Sequence, residues 1–247
     1  MGESAEFVVQ IFDAGSDSRV RIKSLFNYMQ CSADLHSKSL GTSLTSMSEQ
    51  NFTWVYSRFY AAVYDYPKIY DKIYCKTWRS RMIGNFVCRD FAINNDKDDI
   101  IVKATSSLAL IDRTSRKPVA IPEPVKTQLD YSNEINLEFP AEAADKIDKY
   151  DYIYYTKAKY DDIDINGHMN NASYADIFFE SIYERLKGSA ILTSIDIFFK
   201  GEINYGDDLE CQVTSLNGSE YLFYHRLFNR TKERFSAYAV TNWKSIS

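Results

Sequence analysis

The chain has 247 residues, 45% hydrophobic and 26% charged, with a formal net charge of −5 at pH 7. That is enough apolar material for one large domain or two ordinary ones, and it excludes a basic nucleic-acid coat, which needs Lys and Arg in excess. The four cysteines (Cys31, Cys75, Cys88, Cys211) show no CxxC spacing and the three histidines (His36, His168, His225) lie far apart, so neither a metal site nor a cofactor is expected.

The chain starts MGESAEFVVQ, without a basic segment followed by an apolar core, and Glu6 stands where a myristoylation signal requires Ser or Thr. No apolar run reaches membrane-spanning length. A cytoplasmic protein with reduced thiols and no membrane insertion is the expectation. The first helix signal is LFNYMQCSADLHSKSLG, Leu25 to Gly41, with an apolar stripe and a glycine stop. Strand-like runs follow in FTWVYSRFYAAVY, KIYCKTWRS, NFVCRDFAIN and IIVKATSSLALID, broken at Tyr66-Pro67, Ile83-Gly84-Asn85 and Asn94-Asn95-Asp96. One long helix followed by an antiparallel meander is an α+β pattern.

From Ile121-Pro122-Glu123-Pro124 to about Lys149 the chain turns charged and weakly patterned, and reads as a connection between domains. The plan then repeats: a strand at Tyr152–Tyr160, a polar loop, a helix from about Ala172 to Lys187, and strands in SIDIFFKGEI, DLECQVTSL, EYLFYHRLFN and RFSAYAVTNW. Tyr174, Ile177, Phe178, Ile182 and Leu186 follow the spacing of one helical face. Asp71 and Cys75 in the first half match Asp207 and Cys211 in the second, which points to duplication of a unit of a little over a hundred residues. The expected boundaries are 1–125, a linker at 126–148, and 149–247.

The polar loop, DIDINGHMNNASY, runs from Asp162 to Tyr174 and leads into the second helix. Taken singly, its residues read blandly. Asp164 is a loop residue that binds backbone amides. Asn170 or Asn171 is a helix N-cap. His168 is a hydrogen-bonded structural histidine, and Glu202 is a solvated strand-end carboxylate. No Gly-x-Ser-x-Gly elbow is present, and Cys31 and His36 are five residues apart on their helix, off each other's face.

Taken together, the blocks LFNYMQCSADLHSKSLG, NFTWVYSRFYAAVYDYPKIYDKIYCKTW, ATSSLALIDRTSRKPVAIPEPV and DIDINGHMNNASY, with FKGEINYGD downstream, resemble the acyl-acyl-carrier-protein thioesterases across nearly the whole chain. Asp164, Asn166, His168, Asn170 and Asn171 carry that family's Asp-x-Asn-x-His-x-Asn-Asn pattern, and Glu202 stands where it has a glutamate. Two features depart from the pattern. Ile203 replaces the cysteine that usually follows this glutamate in plant members, and Cys88-Arg89-Asp90-Phe91 replaces a frequent Arg-Arg-Asp-Trp.

The resemblance implies two tandem hot-dog domains, each a long helix wrapped by a curved antiparallel sheet. It also implies hydrolysis of acyl-carrier-protein thioesters to free fatty acid. The implied catalytic set is Asp164, Asn166, His168 and Glu202, with the helix start at Asn170 and Asn171 as the oxyanion site. Glu202 and His168 would polarise the attacking water, Asn166 would hold it and Asp164 would orient the network; the rival assignment makes Asp164 a nucleophile. In the first half Tyr66 falls where Glu202 would be, so that half is expected to shape the acyl pocket, with Phe26, Met29, Trp54 and Tyr60 as linings.

The carrier is acidic, and Arg79, Arg81 and Arg89, or Arg113, Arg116 and Lys117, are the candidate docking patches. An acyl-coenzyme A thioesterase, a hot-dog hydratase and a non-catalytic acyl-binding module are the alternatives. The fusion supplies a paired unit by itself, and two chains could associate further as a homodimer.

Overall fold

The computed structural model describes residues 2–141, 149–186 and 188–246, in two compact units, Met1–Phe139 and Pro140–Ser247. The first contains β1 (Glu3–Val8), a short 3-10 turn at Ile11–Asp13, α1 (Ile22–Ser39), α2 (Leu44–Glu49), β2 (Phe52–Val63), β3 (Lys72–Ile83), β4 (Phe86–Asn95), β5 (Ile100–Asp112) and α3 (Glu123–Lys126). Its strands lie in the order β1-β3-β4-β5-β2, each antiparallel to its neighbours. The second contains β6 (Tyr152–Lys157), a 3-10 turn at Tyr160–Asp162, α4 (Asn171–Leu186), β7 (Ala190–Phe199), β8 (Asp208–Ser215), β9 (Leu222–Asn229) and β10 (Arg234–Ser245). Its order is β7-β10-β9-β8-β6, again antiparallel throughout.

α1 begins one turn earlier than its sequence signal, because Ile22 joins the stripe of Leu25, Phe26, Met29, Ala33 and His36 that the helix buries. Phe26 packs tilted against Phe59 at 4.6 Å, and Phe59 stacks on Phe91 at 5.5 Å. The helix closes on Gly41 at φ 69°, with Thr42 N donating to Ser37 O and Gly41 N to Lys38 O. This is a Schellman closure, in which the left-handed residue is strained for anything with a Cβ. α4 buries Tyr174, Ile177, Phe178, Ile182 and Leu186 as the spacing predicts.

Under α4 a polar chain crosses the core: Trp243 Nε1 donates to Thr241 Oγ1, Thr241 Oγ1 lies 2.7 Å from His225 Nε2, and His225 Nδ1 lies 3.0 Å from Ser181 Oγ, which donates to Phe178 O. One neutral tautomer of His225 satisfies every link, and burial pushes its pKa down to about 3.

Two features depart from the expected layout. β1 carries Glu3 and Glu6 and shows no apolar run; it forms by pairing with β3 at the sheet edge. Residues 126–139, expected to open the linker, lie against the first sheet: Trp78 Nε1 donates to Glu134 O, Asn136 N to Asp90 Oδ2, and Leu129 packs with Val87, Leu110, Ile121 and Val125. Of the expected linker, 142–148 lie outside the described residues.

Candidate active site

The loop between the 3-10 turn and α4 is held almost entirely by its own backbone. Asp164 N donates to His168 O (2.8 Å), Gly167 N to Asp164 O (3.0 Å) and Asn170 N to Asp162 O (2.7 Å). Gly167, at φ 79°, makes the reversal. Met169 N donates to Ile203 O at 2.8 Å and so ties the loop to the segment that carries Glu202.

Four side chains were expected here, and they fall into two pairs. His168 Nε2 lies 3.2 Å from Glu202 Oε2, the two side chains 25% and 43% exposed. Asp164 Oδ1 accepts Asn166 N at 2.8 Å, an Asx turn, and its Oδ2 accepts Asn166 Nδ2 at 3.4 Å. Of the two candidate caps, Asn170 is the one used: its Oδ1 accepts Ala172 N at 2.8 Å. Asn171 is the first helical residue, and its N–H has no hydrogen-bond partner among the described residues.

Three further residues, absent from the expected set, hold this arrangement. Lys232 Nζ and Arg234 Nη2 both donate to Glu202 O, at 3.2 and 3.3 Å, and Lys232 also bonds Asn204 Oδ1. Tyr174, on the buried stripe of α4, donates its hydroxyl to Gly201 O at 3.0 Å. Burial, with the charges of Glu202 and Asp164 nearby, pushes its phenol well above the ordinary range and keeps it protonated. Its position in the helix stripe gave only a packing signal, and Lys232 and Arg234 approach from the β9–β10 turn and the start of β10 with no local motif.

The first unit builds the same loop without the same chemistry. Gly15 N donates to Arg19 O (2.8 Å), Ser18 N to Gly15 O (3.0 Å), Arg21 N to Asp13 O (2.9 Å) and Val20 N to Pro67 O (2.9 Å), bond for bond as in the second unit. Ser18, at φ 63°, replaces Gly167. By this frame Gly15 stands for Asp164, Asp17 for Asn166, Arg19 for His168, Arg21 for Asn170, Leu25 for Tyr174 and Tyr66 for Glu202. Arg21 makes no side-chain cap.

The remaining expected residues are placed as follows. Phe26 and Met29 are fully buried in the α1–sheet core, while Trp54 and Tyr60 are half-buried. Arg79 and Arg89 must be removed from any docking surface, since each is 3% exposed. They face each other across β3 and β4 beneath the end of α1. There Arg79 donates to Thr42 Oγ1 (2.6 Å), and Arg89 to Ser37 Oγ (3.1 Å) and Thr77 Oγ1 (3.2 Å). Asp90, the next residue on β4, points to the other face and accepts from Ser80, Thr105 and Asn136. Arg81 pairs with Glu138 at 2.9 Å. Arg113, Arg116 and Lys117 are exposed.

Burial pushes the Cys75 and Cys211 thiols up to about 12 and Cys88 to about 11, which leaves them poor nucleophiles. Among the described residues no group of His, Cys, Asp and Glu could hold a metal ion, and no helix is long and apolar enough to cross a membrane.

Two helix-on-sheet units, of which the second alone carries an imidazole–carboxylate pair at a capped helix start, define a duplicated hot-dog chain with one candidate site. Residues 3–129 match the acyl-ACP thioesterase N-terminal domain and residues 142–245 the acyl-ACP thioesterase C-terminal domain, and the chain belongs to that family.

A dodecanoyl-[acyl-carrier-protein] hydrolase of Cinnamomum camphora is 26% identical over 226 residues, 86% of this chain and 59% of the relative. A palmitoyl-acyl carrier protein thioesterase of Gossypium hirsutum is 25% identical over 224 residues, 85% and 54% of the two chains. The chain thus spans somewhat over half the length of these relatives. In fold it is similar to an acyl-ACP thioesterase from Bacteroides thetaiotaomicron (TM-score 0.85, 24% identity, 98% of each chain). It is likewise similar to a 12:0-ACP thioesterase from Umbellularia californica (TM-score 0.85, 23% identity, 99% and 97%).

Proposed function

We propose that this protein hydrolyses the thioester of an acyl-[acyl-carrier-protein], releasing free fatty acid and the carrier thiol. The observation that carries the reading is the His168–Glu202 contact of 3.2 Å beside the start of α4. The departing thiol has a pKa of roughly 8.5 and leaves as thiolate with little acid help, so the enzyme must activate water and stabilise an oxyanion.

With its Nε2–H directed at the Glu202 carboxylate, His168 keeps the Nδ1 lone pair for a proton from water, and Glu202 stabilises the imidazolium that forms. The Asn171 N–H, at a helix end whose dipole favours negative charge, receives the oxyanion. Asn166, anchored to Asp164, orients the water. The second unit thus does the chemistry and the first shapes the acyl pocket around α1. The exposed Arg113, Arg116 and Lys117 meet the acidic carrier, and the four free thiols suit the cytoplasm.

The test is release of fatty acid from acyl-carrier-protein thioesters beside matched coenzyme A thioesters, with wild type and His168→Ala. Carrier-selective turnover that collapses in the variant is expected. Equal turnover of both substrates points to a general acyl-coenzyme A thioesterase, and no turnover at any chain length refutes the hydrolase reading.

A further inference from the structure

The phenol of Tyr174 holds the backbone next to Glu202: its hydroxyl donates to Gly201 O at 3.0 Å. The ring is 4% exposed and packs edge-on against Phe199 at 5.2 Å, so it has little freedom of its own. Tyr174 is also the fourth residue of α4, one turn from the Asn171 amide. One rigid side chain therefore joins the helix start to the glutamate turn, with the Asp164 carboxylate within electrostatic reach.

The duplicated first unit acts as an internal control. It keeps the four backbone bonds named above, including the tie from the loop to the segment before β3, Val20 N to Pro67 O. Yet it has fully buried Leu25 at the matching helical position and Tyr66 in place of the glutamate. The loop frame folds with a buried leucine in place of the phenol, so it does not require the hydroxyl, and the phenol occurs only where the glutamate occurs.

We infer that Tyr174 is a positioning residue for catalysis, fixing Glu202, and through it the His168 imidazole, at a set distance from the oxyanion-binding helix start. With its ring 4% exposed and its hydroxyl engaged by Gly201 O, it acts through Glu202. This inference rests on the hydrolase reading of the same site, but it has a readout of its own. Displacement of a catalytic group by about 1 Å costs on the order of 10²-fold in rate. Tyr174→Phe keeps the ring and removes only the hydroxyl; Tyr174→Leu installs the first unit's own residue.

The experiment measures kcat and KM on an acyl-carrier-protein thioester, the thermal midpoint, and the imidazole ring resonances of the three histidines by NMR. Both variants are expected to remain folded, to lose about 10- to 100-fold in kcat with KM within about twofold, and to shift the His168 resonances while those of buried His36 and His225 stay. Wild-type kcat with unmoved His168 resonances in Tyr174→Phe overturns the inference. So does a loss of rate that merely follows a loss of folded protein. If the wild type hydrolyses no thioester, the hydrolase reading falls alone; the resonances then decide, a His168 shift supporting the link from Tyr174 to Glu202 and its absence overturning it.

Discussion

Replacing Glu202 by Gln separates charge from placement. The Glu202 backbone is held by Lys232 and Arg234 on its carbonyl, so the amide occupies the same position and only the negative charge is lost. Folding stability is expected to change by less than about 1 kcal/mol, as for other exposed pairs. In the mechanism proposed above, His168 gains a proton in the transition state, its Nε2 lying 3.2 Å from the Glu202 carboxylate. Two unit charges at that distance attract by about 5 kcal/mol at an effective dielectric of 20. The Glu202 side chain is 43% exposed, so solvent reduces this to roughly 2 kcal/mol, about 30-fold in rate. Single-turnover release of the carrier thiol, followed with a thiol-reactive dye, measures the step directly. A change of less than threefold refutes the role of Glu202. Asp164→Asn in the same assay tests the rival assignment: its loop bond to Asn166 N survives, so an orienting Asp164 predicts a loss of about tenfold, whereas a nucleophilic Asp164 predicts a collapse as deep as that of His168→Ala.

Asn170→Ala leaves Ala172 N uncapped, which lowers stability by about 1 kcal/mol and the melting temperature by a few degrees; Asn170→Ser recovers most of both in a thermal melt. Reversing the charges of exposed Arg113, Arg116 and Lys117 raises KM for acyl-carrier-protein several-fold and leaves a coenzyme A thioester unchanged, and the difference disappears as salt is raised. His225 titrates near 6.5 in the unfolded chain and at about 3 when folded, so the unfolded state binds more protons in between. Its contribution is complete above pH 6.5 and falls as pH drops toward 3, by up to about 1.4 kcal/mol per pH unit; urea titrations from pH 7 to 4 show a shallower decline in His225→Gln.

Sequence was most informative where chemistry is local. Asp164, Asn166 and Asn170 bond to one another or to amides within a few residues, so their types and spacing already describe the turn. The helices and the long central strands were legible for the same reason, since their periodicity records which face is buried. β1 was not, because an edge strand with Glu3 and Glu6 forms through its partner β3 and has no apolar alternation of its own. Arg79 and Arg89 misled in the opposite direction. An arginine on a strand reads as solvated, and only the fold shows that the end of α1 and Thr42 close over both. Lys232 and Arg234 reach Glu202 from some thirty residues away in sequence, a distance that no local pattern reports.

The duplicated frame also explains why one unit alone carries the site. Rebuilding it in the first unit would place a carboxylate at Tyr66, which is 9% exposed and whose phenol is already pushed up by burial and by Asp17. A carboxylate there loses its hydration, at several kcal/mol, before any pairing with a histidine at position 19 begins to offset it. Glu202, by contrast, sits where water still reaches 43% of its side chain, beside two cations bound to its own carbonyl. The same turn of chain is therefore a place for an ionised group in one unit and for a buried ring in the other. Solvent access at that turn decides which unit can carry the acid–base pair; the loop's backbone frame, which both units share, does not.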